Sequence, residues 1–361
     1  MSDSKKIAII GGDGVGPEVV SVGLRVLETL KRLRGYPLEF ISYDFGAERY
    51  MKDGTTFPEE AQRHIREECD AVLLGALGDP RAPSLEYARD ILFGLRFGLD
   101  LYCNLRPVIC LADRLMPLKG RSAEDCNMMV FRENTEGIYV GIGGQFKKGT
   151  PDEVAISEDL NTRKGVERII RAAFVYAETH GHDTVHMVDK HNAMKHAHEL
   201  WIRAFREIGQ DYPDIKKEHV FVDAMCLYMV QDPSRFKVVV TSNLFGDIVT
   251  DLGAALQGGM GMAASANLNP GKVSMFEPVH GSAPDIAGQD LANPLATVLT
   301  VGLLLSHLGW PEEEALLTEI VRDAVAGMHC TRDVGGPLGT EATGNWVVAE
   351  IERRASSQAE G

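Results

Sequence analysis

KIAIIGGDGVGPEVV, residues 6–20, is an apolar strand running into glycines, the outline of a dinucleotide-binding turn. That fingerprint needs glycines at i, i+2 and i+5, so that the chain can turn, approach a pyrophosphate and pack its helix. Starting from Gly12 the third place is Pro17, and from Gly14 it is Val19, so no register satisfies the pattern. The next strand, LEFISYDFG, supplies an acid at Asp44, about 30 residues beyond Gly14 where about 20 is required. The stretch therefore predicts a strand, a tight turn and a helix from Pro17, and argues against a Rossmann domain.

Working outward, apolar strands alternate with helical spacing: KIAII, a helix over 17–34, LEFISYD, a helix over 58–68, and AVLLGAL from 71. This is the α/β pattern, with strands apolar enough to be covered on both faces. A second series follows NLRPV: CNMMVFREN, TVHMVDK, VFVDAM and KVVVTSN. Residues 137–161 are long for an internal loop and read as an ordered excursion or as an arm to a partner. Helical spacing returns over 294–328, and ASSQAEG at 355–361 reads as frayed.

The 361 residues suggest two domains or one large one. A net charge of -15 argues against nucleic-acid or membrane partners and makes local arginines conspicuous. The six cysteines show no CxxC pair and fit reduced thiols. MSDSKK has no apolar h-region and no apolar run reaches membrane length, so a cytoplasmic protein is expected.

The densest chemistry lies in FKVVVTSNLFGDIVTDLGAALQ, 236–257. A strand ends at Thr241, Ser242 or Asn243 can cap a helix, and Leu244, Ile248, Leu252 and Leu256 form its expected apolar stripe. Asp247 and Asp251 lie one turn apart, where like charges cost roughly 0.2–0.5 kcal/mol. Either this is a solvated face, or a hard cation such as Mg2+ or Mn2+ reverses the cost, with Asp223 at the end of VFVDAM as third ligand. Arg96, Arg106 and Arg132 are either separate structural ion pairs or the forks that hold a polycarboxylate. Tyr139 and Lys190 are possible proton carriers, Lys190 standing at a strand end. The six histidines of HGHDTVHMVDKHNAMKHAH, 180–198, lack HExxH, and His196 and His198 face different ways, so surface and core roles are expected rather than zinc. MFEPVHGSAPDIAGQDLANP, 275–294, is a punctuated loop in which Asp285 could accept from a diol.

Together, GDGVGPE, NLRP, RENTEGIYVG, DKHNAMK, VDAM, TSNLFGDIVTDLGAAL and EPVHGSAPDIAG followed by ANP, in this order, resemble the β-decarboxylating hydroxyacid dehydrogenases that act on isopropylmalate, isocitrate, homoisocitrate or tartrate. The resemblance implies a two-domain α/β fold with a large mixed sheet, not Rossmann. It implies a cofactor-binding domain of residues 1–105 and 258–361, and a second domain of 106–257 whose arm, about 137–161, interlocks the two subunits of a homodimer. It also implies that Arg96, Arg106 and Arg132 hold substrate carboxylates beside Leu92, Phe93 and Asn192. Asp247 and Asp251 would bind Mg2+ or Mn2+ together with Asp223 of the neighbouring subunit. Lys190, also from the neighbour, would take the C2 hydroxyl proton as hydride leaves for the nicotinamide, and Tyr139 would protonate C3 after CO2 is lost. NAD would lie against Gly75, Ala76, Leu77, Glu277, His280, Gly281, Ser282, Ala283, Asp285, Ile286 and Asn293. Asp285, where NADP-using relatives carry a Lys-Tyr pair, favours NAD because a carboxylate repels a 2'-phosphate.

For the substrate, the apolar wall of Leu92 and Phe93 favours an alkyl group over a third carboxylate. The implied reaction is 3-isopropylmalate to 4-methyl-2-oxopentanoate and CO2, a step of leucine synthesis. Arg89, where a glutamate is common, and Phe93, where leucine is usual, leave tartrate or another 3-substituted malate as the alternative substrate. From another class, a non-catalytic regulatory subunit is the alternative, against which the intact set of arginines, acids, Tyr139 and Lys190 argues.

Overall fold

The computed structural model describes residues 4–359, with side chains to residue 356. The chain divides into two units: Met1–Leu101, Cys110–Ala123 and Ala254–Gly361 form the first, and Tyr102–Ile109 and Glu124–Gly253 the second. Segment 110–123 was expected in the second domain but belongs to the first. Its Arg114 donates from Nε to the Val325 carbonyl at 3.0 Å and from Nη1 to that of Val334, anchoring it there.

In chain order the first unit begins with β1 (Lys5–Gly12), α1 (Gly16–Arg34), β2 (Leu38–Tyr43), α2 (Ala47–Asp53), α3 (Glu59–Glu68), β3 (Ala71–Ala76) and α4 (Glu86–Gly98). The second unit carries β4 (Cys103–Ile109), β5 (Asn127–Glu133), β6 (Gly143–Phe146), β7 (Val154–Ser157), α5 (Arg163–Thr179), β8 (Thr184–Asp189), α6 (Lys195–Ile208), β9 (Lys216–Phe221), α7 (Val222–Gln231), β10 (Val238–Thr241) and α8 (Asn243–Leu256). The chain then returns to the first unit with β11 (Ala264–Leu268), β12 (Ser274–Pro278), α9 (Leu295–His307), α10 (Pro311–Ala326) and α11 (Thr340–Ala359). Of the tail expected to fray, 355–359 are helical, and Glu360 and Gly361 lie outside the described residues.

Within the first unit the strand order is β2-β1-β3-β12-β11, parallel except for β11 against β12. The second runs β4-β5-β10-β8-β9, parallel except for β4 against β5. An antiparallel strand in each sheet, and β1 lying between β2 and β3, differ from the all-parallel 3-2-1-4-5-6 order of a Rossmann domain. The fold is α/β with mixed sheets, as the resemblance implies, and it is not Rossmann, as the failed glycine spacing predicts. Consecutive β1 residues Ile7, Ala8, Ile9 and Ile10 are all buried, so both faces of this sheet are covered. Each of the three isoleucines contributes roughly 1.5–3 kcal/mol on removal from water.

The opening glycines meet backbone. A Cβ on Gly16 would stand 2.3 Å from the Gly11 carbonyl oxygen, and one on Gly14, at φ +56°, 1.9 Å from that of Ser282. Gly35 ends α1 at φ +71° with nothing within 4 Å of its would-be Cβ. Gly16→Ala should therefore lower stability by about 3 kcal/mol, at the upper end of overpacking costs, and Gly35→Ala by only about 1 kcal/mol. Equal urea midpoints for the two variants would contradict the steric account.

Two elements differ from expectation. VFVDAM is not one strand: β9 stops at Phe221, and Asp223 lies in the first turn of α7. On α8 only Leu256 of the predicted stripe is fully buried, because Phe245 and Val249 take the packed face, Leu244 and Leu252 are half-buried and Ile248 is 49% exposed. The cause is close approach, since a Cβ on Gly246 would strike Arg132 at 2.5 Å and one on Gly253 would strike Val108 at 2.8 Å. The glycines, not the leucines, face the sheet.

All six cysteines are free, five of them buried and Cys226 half-buried. Among the described residues, no helix is long and apolar enough to cross a membrane. His186 and His198 are core residues and His196 is exposed. Burial pushes His186 down from 6.5 to about 4. Below pH 6.5 the unfolded chain takes up a proton that the folded one refuses, so stability should fall by up to about 3 kcal/mol as pH drops toward 4. His186→Met should flatten that dependence in urea titrations at pH 7 and pH 4.5; an unchanged slope would locate the loss elsewhere.

Candidate active site

Three elements of the second unit deliver a charged cluster. Arg106 comes from β4, Arg132 from β5, and Asp247 from the second turn of α8. Arg132, 1% exposed, donates from Nε and Nη2 to the Asn243 side-chain oxygen at 3.0 and 2.8 Å and from Nη1 to Asp247 Oδ1. Arg106 Nη1 lies 2.6 Å from Thr250 Oγ1 and 3.5 Å from Asp247 Oδ1. Tyr139 donates to Asp247 Oδ2 at 2.7 Å, and its ring lies 5.5 Å from the Arg132 guanidinium. Burial opposes ionisation of Asp247, yet Arg132, Tyr139 and Arg106 together hold its carboxyl below the usual range. Asp251, one turn on and exposed, is raised by partial desolvation and by Asp247 itself.

A divalent cation fits the Asp247 and Asp251 pair, because it would relieve the repulsion that raises Asp251. Asp223 does not join them within one chain. Its carboxylate is 67% exposed and pairs with Lys190 Nζ at 2.7 Å, and that ion pair holds the carboxyl low. Lys190 follows directly on β8, half-buried, with Nζ 5.2 Å from the Phe221 ring. Asn192, two residues on, is exposed.

In the first unit, Arg96 on α4 bonds Glu277 Oε1 at 3.1 Å, and Glu277 is also held by Asn267 at 2.9 Å. Its Nε is buried without a partner. Leu92 and Phe93 are half-buried on the same helix, and Phe93 lies 5.7 Å from the Arg89 guanidinium. The loop after β12 encloses a cavity of about 340 Å³ whose walls include His280, Gly281, Ala283, Ile286 and Asn293. Burial pushes the His280 imidazole below its ordinary value; its Nδ1 lies 3.0 Å from the Gly281 carbonyl and its Nε2 is buried without a partner. An unpartnered buried nitrogen on a residue that lines a ligand-sized cavity fits a hydrogen-bonding base such as adenine. Asp285 is exposed on this loop, Ser282 is half-buried, and Asn293 donates to Asp333 at 2.9 Å. Gly75 and Ala76 are buried in β3 and Leu77 half-buried after it. The opening turn braces the loop, since Val15 N–H donates to the Ser282 carbonyl at 2.8 Å.

A model of the isocitrate/isopropylmalate dehydrogenase family matches residues 6–348. The chain belongs to that family. It is 46% identical over 341 residues to a 3-isopropylmalate dehydrogenase of Thermobifida fusca, covering 92% of this chain and 96% of that one. A namesake from Frankia casuarinae is 47% identical over 349 residues, covering 94% and 100%. Among solved structures, isocitrate dehydrogenase from Methylococcus capsulatus superposes with a TM-score of 0.85 at 36% identity, covering 96% of this chain and 99% of that one. A β-decarboxylating dehydrogenase from Thermococcus kodakarensis gives 0.80 at 34%, covering 98% and 97%. As a member of this dehydrogenase family the chain is an oxidoreductase.

Several residues that hold the site escape a reading of the sequence. Asn243, expected only as a helix cap, spends its side chain on Arg132 and on the Glu136 carbonyl, and Thr250 supports Arg106. Asp13 in the opening turn accepts from Ala47 N–H, Gly78 N–H and Tyr87 O–H at 2.6–2.7 Å. An acid between two glycines is its one signal in the sequence.

Proposed function

We propose that the protein oxidises and decarboxylates 3-isopropylmalate, using NAD and Mg2+ or Mn2+, to give 4-methyl-2-oxopentanoate and CO2. The observation that carries this is the meeting of two buried arginines, a tyrosine and an aspartate at Asp247, in a chain whose relatives bear the isopropylmalate name. Arg106 and Arg132 orient the substrate's carboxylates, and Arg96 is the third fork. Leu92 and Phe93 accept the alkyl substituent. Lys190 Nζ takes the proton of the C2 hydroxyl, and Tyr139 Oη delivers one to C3 once that carbon has lost its carboxylate as CO2. Asp247 and Asp251, with Asp223 of a second subunit, would hold the divalent ion, which when bound polarises the oxygen on C2. NAD, the hydride acceptor, would lie along the loop around His280, with Asp285 on its ribose hydroxyls.

A homodimer supports this arrangement, because Asp223 and Lys190 pair with each other and not with Asp247 in one chain. The β6–β7 hairpin also exposes Phe146, Val154 and Ile156, apolar surface that a second copy would cover.

The test is NADH appearance with 3-isopropylmalate, tartrate or isocitrate, each with Mn2+ or with EDTA. Turnover is expected on 3-isopropylmalate with Mn2+ and none with EDTA. Faster turnover on tartrate would replace the substrate, and none on any acid would remove the enzyme reading.

A further inference from the structure

Asp189 ends β8 with no exposure at all, and its described ion-pair partners are two imidazoles. His191 Nδ1 lies 3.1 Å from Oδ2 and 3.2 Å from Oδ1, and His219 Nε2 lies 2.8 Å from Oδ1. His219 comes from the neighbouring parallel strand β9, where it is paired with Met187, so it shares a sheet face with Asp189. The ligand atoms of all three residues lie within 4.8 Å of one another, the sole such trio of His, Cys, Asp or Glu among the described residues.

We propose that Asp189, His191 and His219 form a second metal site, distinct from the Asp247 and Asp251 pair, that takes a borderline transition-metal ion such as Zn2+ or Co2+. Two imidazole nitrogens and one carboxylate are the donor set that these ions prefer and that Mg2+ does not. Ligands about 2.1 Å from a tetrahedral ion stand about 3.4 Å apart, so the nitrogen–oxygen separations of 3.1 and 2.8 Å would open by about 0.3 and 0.6 Å. Binding moves the proton of each ring from the nitrogen that faces the carboxylate to the other nitrogen of the same ring, and the rings, 35% and 33% exposed, can exchange it through water. The cation also places a full positive charge beside a buried carboxylate. Hydrogen bonds from both histidines already hold Asp189 below the usual carboxylate range against its burial, so it is ready as an anion. Because His191 lies one residue beyond Lys190, the ion would pin the start of the 190–194 loop to β9. The proposal does not depend on the reaction assigned above.

The probe is Zn2+ titrated calorimetrically into the full chain in excess Mg2+, with Co2+ absorption as a second readout of nitrogen ligation. One Zn2+ per chain is expected for the wild type and for Asp251→Asn. His191→Gln and His219→Gln, which can keep a hydrogen bond to Asp189, should each weaken binding at least tenfold, and the double variant should abolish it. Circular dichroism checks their folding; if His219→Gln fails to fold, the half-exposed His191→Ala carries the test. Unchanged Zn2+ affinity in the folded histidine variants, or loss of the tight site in Asp251→Asn alone, would overturn the assignment.

Discussion

Lys190→Ala should lower kcat by about 10³-fold while leaving the fold intact. The side chain is half-buried and its partner Asp223 is 67% exposed, so the freed carboxylate returns to water and the stability change should stay within about 1 kcal/mol. A base acts on the reacting oxygen and contributes little to holding the ground state, so KM for 3-isopropylmalate should move far less than kcat. Steady-state kinetics beside a urea titration separates the two effects. A variant that kept wild-type kcat would falsify the role of Lys190, and one that failed only through unfolding would assign the residue to structure.

Asp247→Asn should be nearly as damaging, and on two counts. The carboxylate is the joint countercharge of Arg132 and Arg106, both buried, and the proton acceptor of Tyr139. Removing the charge strands two guanidinium groups and should cost about 2–3 kcal/mol, below the range for a fully buried pair because Asp247 itself is 37% exposed. Mn2+ affinity should fall by about 100-fold, read by titration independently of turnover. Asp251→Asn is the contrast: its raised carboxyl gains from losing its charge beside Asp247, so metal affinity should fall with no loss of stability. The sign with pH follows. Because the folded Asp247 pKa is depressed, its stabilisation is present above the unfolded value near 4 and is lost as pH falls through the folded one. Equal destabilisation by both variants would contradict the distinction between the two carboxylates.

The division between what residues in order reveal and what packing decides can be followed along α8. The sequence places Asp247 and Asp251 one turn apart and marks the strand before them, since spacing and β-branched runs are local properties. The same logic picks the leucine and isoleucine stripe as the buried face, and of that stripe only Leu256 is fully buried. Small residues at Gly246 and Gly253 let α8 approach the sheet side chains, and periodicity cannot weigh close approach against apolar area. VFVDAM fails in a related way, because Val222 carries the β-branched pattern past Phe221 although the ladder to β8 ends there.

By itself, then, the sequence determined the alternating α/β pattern, the absence of a Rossmann turn, the family motifs and the types of the charged residues. All of these depend on short-range order. Only the tertiary structure decided that Asp247 is the acid that neutralises Arg106 and Arg132, and that the opening glycines brace the Ser282 loop instead of cradling phosphate. It also brought His219 across from β9 to share one buried carboxylate with His191. These contacts join residues tens to hundreds of positions apart. Their energies rest on burial and on clearances of less than one ångström, and neither quantity exists until the chain has folded.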